Sequence, residues 1–241
     1  MRSLSSDILC AYCGLPGADE KDHVIARQFF PPDHAYRAGL PQVPSCGTCN
    51  RKKQRVEDGP AVLFQFGDGS EASGRVLTER VPRTLAKNRR LHRSLRQGLQ
   101  DVLIRLPSGI IVPGLGIRLS PRELNDSYAW FQFVTRGLYC FEFGGPLPVD
   151  HSIHILWPVD ERFNVFTELI LRDPAHQKRT FAWEEFRYAF ASNRDEEISL
   201  WFYIFKSIQI FALTLSTTCL ASIKASIAEI EWPPPDGTSL C

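Results

Sequence analysis

Cys10-Ala11-Tyr12-Cys13, and further on Cys46-Gly47-Thr48-Cys49 followed at once by Asn50-Arg51-Lys52-Lys53, decide how this chain is read. Each C-x2-C turn is short enough for both sulfurs to face one ion. Two such turns supply the four thiolates of a tetrahedral zinc site. With Cys10, Cys13, Cys46 and Cys49 as ligands, no position stays open for water, so the expected zinc is structural. Thirty-two residues, 14 to 45, separate the pairs. A simple zinc ribbon needs fewer, so a further element is expected between the knuckles.

That interval contains Lys21-Asp22-His23-Val24-Ile25-Ala26-Arg27. Alone, Asp22-His23 would read as a surface pair. Flanked by two cysteine pairs, and with Asn50 directly after the second, the set resembles the zinc-bearing HNH endonucleases over residues 10 to 55. The resemblance implies an α+β chain in which residues 1–58 form a ββα-metal, treble-clef-like module: two strands and a helix around a divalent ion. It implies His23 as the general base, Asp22 as a carboxylate ligand of a catalytic ion and Asn50, at the start of the helix, as a second ligand. Oxygen donors suit Mg²⁺ or Mn²⁺. Phosphodiester hydrolysis needs an activated water and a cation on the phosphate and leaving oxygens, which such a set supplies. Arg51, Lys52 and Lys53, on the same helix, are placed to meet backbone phosphates.

The chain departs from the family pattern at one point. The middle Asn, five positions before Cys46, is Pro41 here, which has no polar side chain to orient the base. A backbone carbonyl can fix the tautomer of a histidine instead. Gln42 is a possible substitute, though in a strand its side chain would alternate to the other face. The expected activity is metal-dependent endonuclease, with DNA as the expected substrate. The alternative is a non-catalytic zinc-knuckle module that binds nucleic acid or protein and would not need Asp22, His23 and Asn50 together.

Composition adds bounds. The apolar share of 44% allows a real core. A net charge of +1 is uninformative, but Arg75 to Arg105 holds nine Arg or Lys against Glu79 and Asp101. Such a stretch is a candidate polyanion surface, with Lys87, Arg90 and Arg93 as its contacts, or else a solvated helix face. Seven cysteines without a secretory pattern in MRSLSSDILCAYCG point to metal binding before disulfides, and to a cytoplasmic protein. Cys140, Cys219 and Cys241 read as buried or tail thiols. Ile198 to Ile223 is apolar, but Lys206 and several hydroxyl residues dilute it, so a buried strand or core helix is expected, not a membrane span.

Gly59-Pro60 reads as the end of the first block. Residues 59–232 are expected to form a second α+β domain, and 233–241 a mobile tail. Within that second part, residues 62–77 read as two strands around a Gly-rich turn. Thr84 to Val102 reads as one helix with Leu85, Leu91, Leu95, Leu99 and Val102 along one stripe. Pro107 to Gly116 is a loop or short hairpin. Ser120-Pro121 with Glu123 begins a helix that ends before Gly144-Gly145-Pro146. His151 to Trp157 alternates like a strand, and Trp183 to Phe190 is a short helix. His151 and His154 would face opposite sides of that strand and cannot share an ion; His34 and His92 are expected at the surface.

Overall fold

A computed structural model describes residues 7–66, 68–105, 108–157, 168, 170, 176–193 and 198–226. Strands β1 (Glu20–His23) and β2 (Gln42–Ser45) pair antiparallel, with Glu20 opposite Ser45 and His23 opposite Gln42. A 3₁₀ turn (Arg27–Phe29) and the short helix α1 (His34–Arg37) lie between them. Helix α2 (Gly47–Leu63) begins at Cys46, whose sulfur caps it by accepting the Cys49 N–H.

The expected stop at Gly59-Pro60 is overturned, because α2 runs through it. Proline removes one helical hydrogen bond and usually kinks or ends a helix. Here Gly59, Pro60, Ala61 and Val62 are all buried, and α2 packs along α6 (Pro121–Phe143). Tertiary burial offsets the lost bond. The boundary expected between residues 58 and 59 therefore falls inside a helix.

The two strands expected over 62–77 are instead the end of α2 and helix α3 (Glu71–Glu79). Ser70 caps α3 by accepting the Ser73 N–H, and Ala72 and Val76 are buried at helical spacing. The single helix expected from Thr84 to Val102 is also corrected. It is α4 (Val81–Lys87), α5 (Arg89–Gly98) and strand β3 (Leu99–Arg105). The Asn88 side chain accepts the Leu91 N–H at 3.1 Å and starts a new helix. At Gly98 a Cβ would stand 2.2 Å from the Arg118 carbonyl oxygen, so the chain turns there into β3. Its partner β4 (Ile111–Ile117) completes a two-stranded hairpin.

Helix α6 starts as expected, with Ser120 and Glu123 forming a reciprocal capping box, and ends at Gly144 in the left-handed region. One face of α6 packs on a five-stranded antiparallel sheet of order β5-β9-β8-β7-β6. Its strands are β5 (His151–Leu156), β6 (Gln177–Phe181), β7 (Phe186–Asn193), β8 (Ile198–Phe205) and β9 (Ile208–Ser216). The short helix expected near Trp183 is a turn whose residues Ala182, Trp183 and Glu184 all have positive φ. Phe186, Tyr188 and Phe190 then alternate into the core as a strand. The apolar run from Ile198 forms β8, β9 and helix α7 (Thr217–Ser226), and no described helix is long and apolar enough to cross a membrane. His151 and His154 lie on β5, both buried. The expected tail, 233–241, lies outside the described residues.

One apolar cluster runs through the molecule. It takes Tyr12, Val24, Phe29 and Phe30 from the N-terminal part, Phe64 from α2, Trp130, Phe133 and Leu138 from α6, and Tyr188, Trp201 and Tyr203 from the sheet. Phe29 stacks on Trp130 at 4.7 Å between ring centroids, and Phe205 closes on both rings. A second cluster, with Leu200, Phe211, Leu213 and Leu215, covers the other sheet face beneath α7. The chain is thus α+β, with α6 as the layer between the cysteine-bearing part and the sheet.

Candidate metal centre and the β1–α2 seam

Cys10 and Cys13 sit in the turn before β1, and Cys46 and Cys49 in the first turn of α2. Their four sulfurs lie within 4.8 Å of one another. A tetrahedral ion with bonds of about 2.3 Å brings thiolates to similar separations, so the donor set fits one metal ion. All four are free thiols. Backbone N–H groups point at the sulfurs: Cys46 N donates to Cys10 Sγ at 3.4 Å, and Cys49 N to Cys46 Sγ at 3.5 Å. Such donors stabilise thiolates. The Cys10 thiol is drawn down to about 4, first by the Cys49 side chain and then, against burial, by the Cys46 N–H. Burial pushes the Cys13 thiol up to about 12. Four crowded thiols cannot all ionise without a cation among them. Cys140 and Cys219, which form no disulfide either, stand outside this tetrad.

The seam between β1 and α2 carries the other polar groups. Glu20 and Asp22 share one face of β1, two residues apart. Asn50, Lys53 and Glu57 share one face of α2. Asn50 Nδ2 donates to the Glu20 carboxylate, and Gln54 Nε2 donates to Asn50 Oδ1 at 3.2 Å. Lys53 is 1% exposed. Its ammonium donates to Asp22 Oδ2 at 2.7 Å and to the His23 carbonyl at 2.6 Å, and stands 2.9 Å from Glu57 Oε1. Tyr12 donates its hydroxyl to the same Asp22 oxygen. Burial first, then Asp22, raises the Tyr12 pKa well above its ordinary value, which keeps it a donor. Burial also raises the Glu57 carboxyl, against the pull of Lys53.

His23 faces the other way from Asp22, as consecutive strand residues must. Its Nε2 lies 3.2 Å from the Gln42 amide nitrogen, while Nδ1 is buried without a partner. Burial first, then Arg27, lowers the His23 pKa, so the ring is neutral at pH 7.

The expected residues therefore fall into groups. The four cysteines converge. Asp22 and Asn50 line one seam, each with its own partner, and His23 projects from the other face of β1. Lys53 is corrected: its ammonium is buried among Asp22, Glu57 and the His23 carbonyl, so it cannot reach a phosphate. Arg51, Lys87, Arg90 and Arg93 are exposed. Sequence reasoning missed Glu20, Tyr12 and Glu57. The i, i+4 spacing of Lys53 and Glu57 was the available signal for one ion pair. Alternation from Pro41 counted against Gln42, yet it is the direct cross-strand partner of His23, so the two side chains share a face. The Pro41 carbonyl accepts the Val24 N–H at 2.9 Å and continues the strand pairing.

Compared with known proteins, the chain matches no family model, no curated protein and no solved structure.

Proposed function

We propose that this chain is a metal-dependent phosphodiester hydrolase of the HNH type, acting on nucleic acid with DNA as its first substrate. Its cysteine tetrad holds structural Zn²⁺, and β1, β2 and α2 serve as the ββα-metal module. The observation that carries the reading is the seam beside the tetrad, where Glu20, Asp22 and Asn50 present two carboxylates and an amide between one strand and one helix. Oxygen donors of this kind take Mg²⁺ or Mn²⁺, and such an ion would supply charge stabilisation at the phosphate. His23 is the proposed general base: with the Gln42 amide swung aside, its neutral Nε2 would take the proton of a water that reaches β1 from the face opposite Asp22. Lys53 anchors β1 to α2 through the His23 carbonyl, so it positions the histidine's backbone.

A second reading is favoured by one observation. The Lys53 ammonium already neutralises Asp22, as a metal ion would. In that reading the module is a zinc-knuckle binding unit without chemistry. Supercoiled plasmid incubated with wild-type protein separates the two. The hydrolase reading expects nicking that needs Mg²⁺ or Mn²⁺, that falls in Asn50→Ala, and that is partly restored there by more metal. Binding without cleavage under any divalent ion would leave the second reading standing.

A further inference from the structure

A cleft of about 380 Å³ lies between α2 and α4, lined by Gln28, Asp58, Arg80, Arg83, Thr84 and Lys87 among others. Clefts of about 300–1,000 Å³ are the usual size for small ligands. Its charge is lopsided. Three cations face one carboxylate, and Asp58 already accepts a hydrogen bond from Asn88 at 3.2 Å. Arg75, next along α3, is different: it is paired with Asp33 and Glu79 and does not line the cleft.

The cleft is tied to the 3₁₀ turn that follows the strand carrying His23. Arg80 donates to the Arg27 carbonyl at 3.1 Å, and Gln28 follows Arg27 in the turn after β1. Three guanidinium groups share this corner. The charge of Arg37 is disfavoured first by its burial and then by Arg80 and Arg27, against the pull of Asp33, which is itself paired with Arg75. Crowded cations with too few acids favour a bound anion. A phosphate is the anion whose geometry suits arginine forks.

We infer that the α2–α4 cleft is a phosphate-binding subsite, built from Arg80, Arg83 and Lys87, that holds the backbone of a nucleic-acid strand as it passes His23. This rests on the proposed hydrolase reading and adds where the strand runs. Arg83 and Lys87 supply the free charge. Arg80 fixes the turn after β1 and keeps the cleft beside it.

The test uses full-length protein and a fluorescein-labelled DNA duplex without added divalent ion, read by anisotropy across a salt series. Cleavage of the same duplex is read separately with Mn²⁺. Arg83→Glu/Lys87→Glu is compared with Arg90→Glu/Arg93→Glu, which removes the same charge from the exposed face of α5. Each phosphate contact contributes about −0.9 to the slope of log K against log salt. The cleft double variant should weaken binding by about tenfold or more at 0.1 M salt and flatten the slope by about 1.8, and the α5 pair should cost clearly less. All four residues are exposed, so zinc content and melting should be unchanged in both. Equal losses from the two pairs, or none from the cleft pair, would overturn the subsite while leaving the hydrolase reading intact. Salt-dependent binding through the cleft with no cleavage would do the reverse. A wild type that binds no DNA overturns both.

Discussion

The tetrad end of the molecule and its sheet are held together by different physics. Around β1, β2 and the start of α2, the structure relies on four thiols, a buried ammonium and short polar contacts to Asp22. Across α6 and β7–β9 it relies on aromatic packing, with Phe190 stacked on Trp201 at 4.7 Å between ring centroids. The first kind of stabilisation is conditional, since thiolates need a cation and buried ions need each other. The second is additive and non-directional. The two meet where Phe29 and Phe64 enter the core around Trp130.

Breaking the tetrad should give the largest effect. Metal binding supplies about 10–16 kcal/mol of apparent free energy in small zinc modules. Cys46→Ser should lose its zinc, and amides of β1, β2 and the first turns of α2 should lose hydrogen-exchange protection while β7–β9 keep theirs. Simultaneous loss in the sheet would show one cooperative unit, and the contrast between the regions would fail. Lys53→Met comes next. It leaves the buried Glu57 and the half-buried Asp22 without their cation, and breaking a buried pair in this way costs about 3–5 kcal/mol. A denaturant midpoint within error of wild type would show that water already reaches that seam.

Gly137→Ala tests the join itself. A Cβ there would stand 2.9 Å from both Val24 methyl groups, with α6 between the two regions. Overpacking of this kind costs about 1–3 kcal/mol, read as a lowered melting temperature with zinc retained. Unchanged stability would mean that the N-terminal part rides loosely on α6.

The smallest effect is the pH response of His23. Its folded pKa lies below the ordinary 6.5, burial being the main cause. The unfolded chain therefore binds the proton more readily, so stability rises with pH between the folded value and 6.5 and is fully present above that. His23→Gln should flatten this slope in urea titrations across that window. An unaltered slope would assign it to other groups.

How legible the molecule was in its sequence follows the same contrast. The tetrad was readable because fixed spacing converts directly into ligand geometry. The α6 start was readable because Ser120, Pro121 and Glu123 act locally. The stop at Gly59-Pro60 failed because burial against α6, far along the chain, outweighed a local helix-breaking signal. The leucine stripe from Leu85 to Val102 misled because Leu99 and Val102 belong to β3, and only the close approach of Gly98 to Arg118 shows it. At the site, Asp22 and Asn50 were named but their partners were not. Glu20 with Asn50 is set by how β1 lies across α2, and Tyr12 with Asp22 by how the first cysteine turn folds against β1, which no spacing encodes. Gln42 was legible as a possible partner of His23, but its face follows from the cross-strand register with His23 and not from its place after Pro41.

In the proposed hydrolase, His23 does chemistry on a scaffold it does not hold up. Single-turnover cleavage of supercoiled plasmid with Mn²⁺, by wild type and by His23→Ala carrying equal zinc and melting alike, tests it most directly. Removing a general base typically lowers the rate by a factor of about 10² to 10⁴, and a loss of that size is the predicted result. Equal cleavage by the two proteins would contradict it.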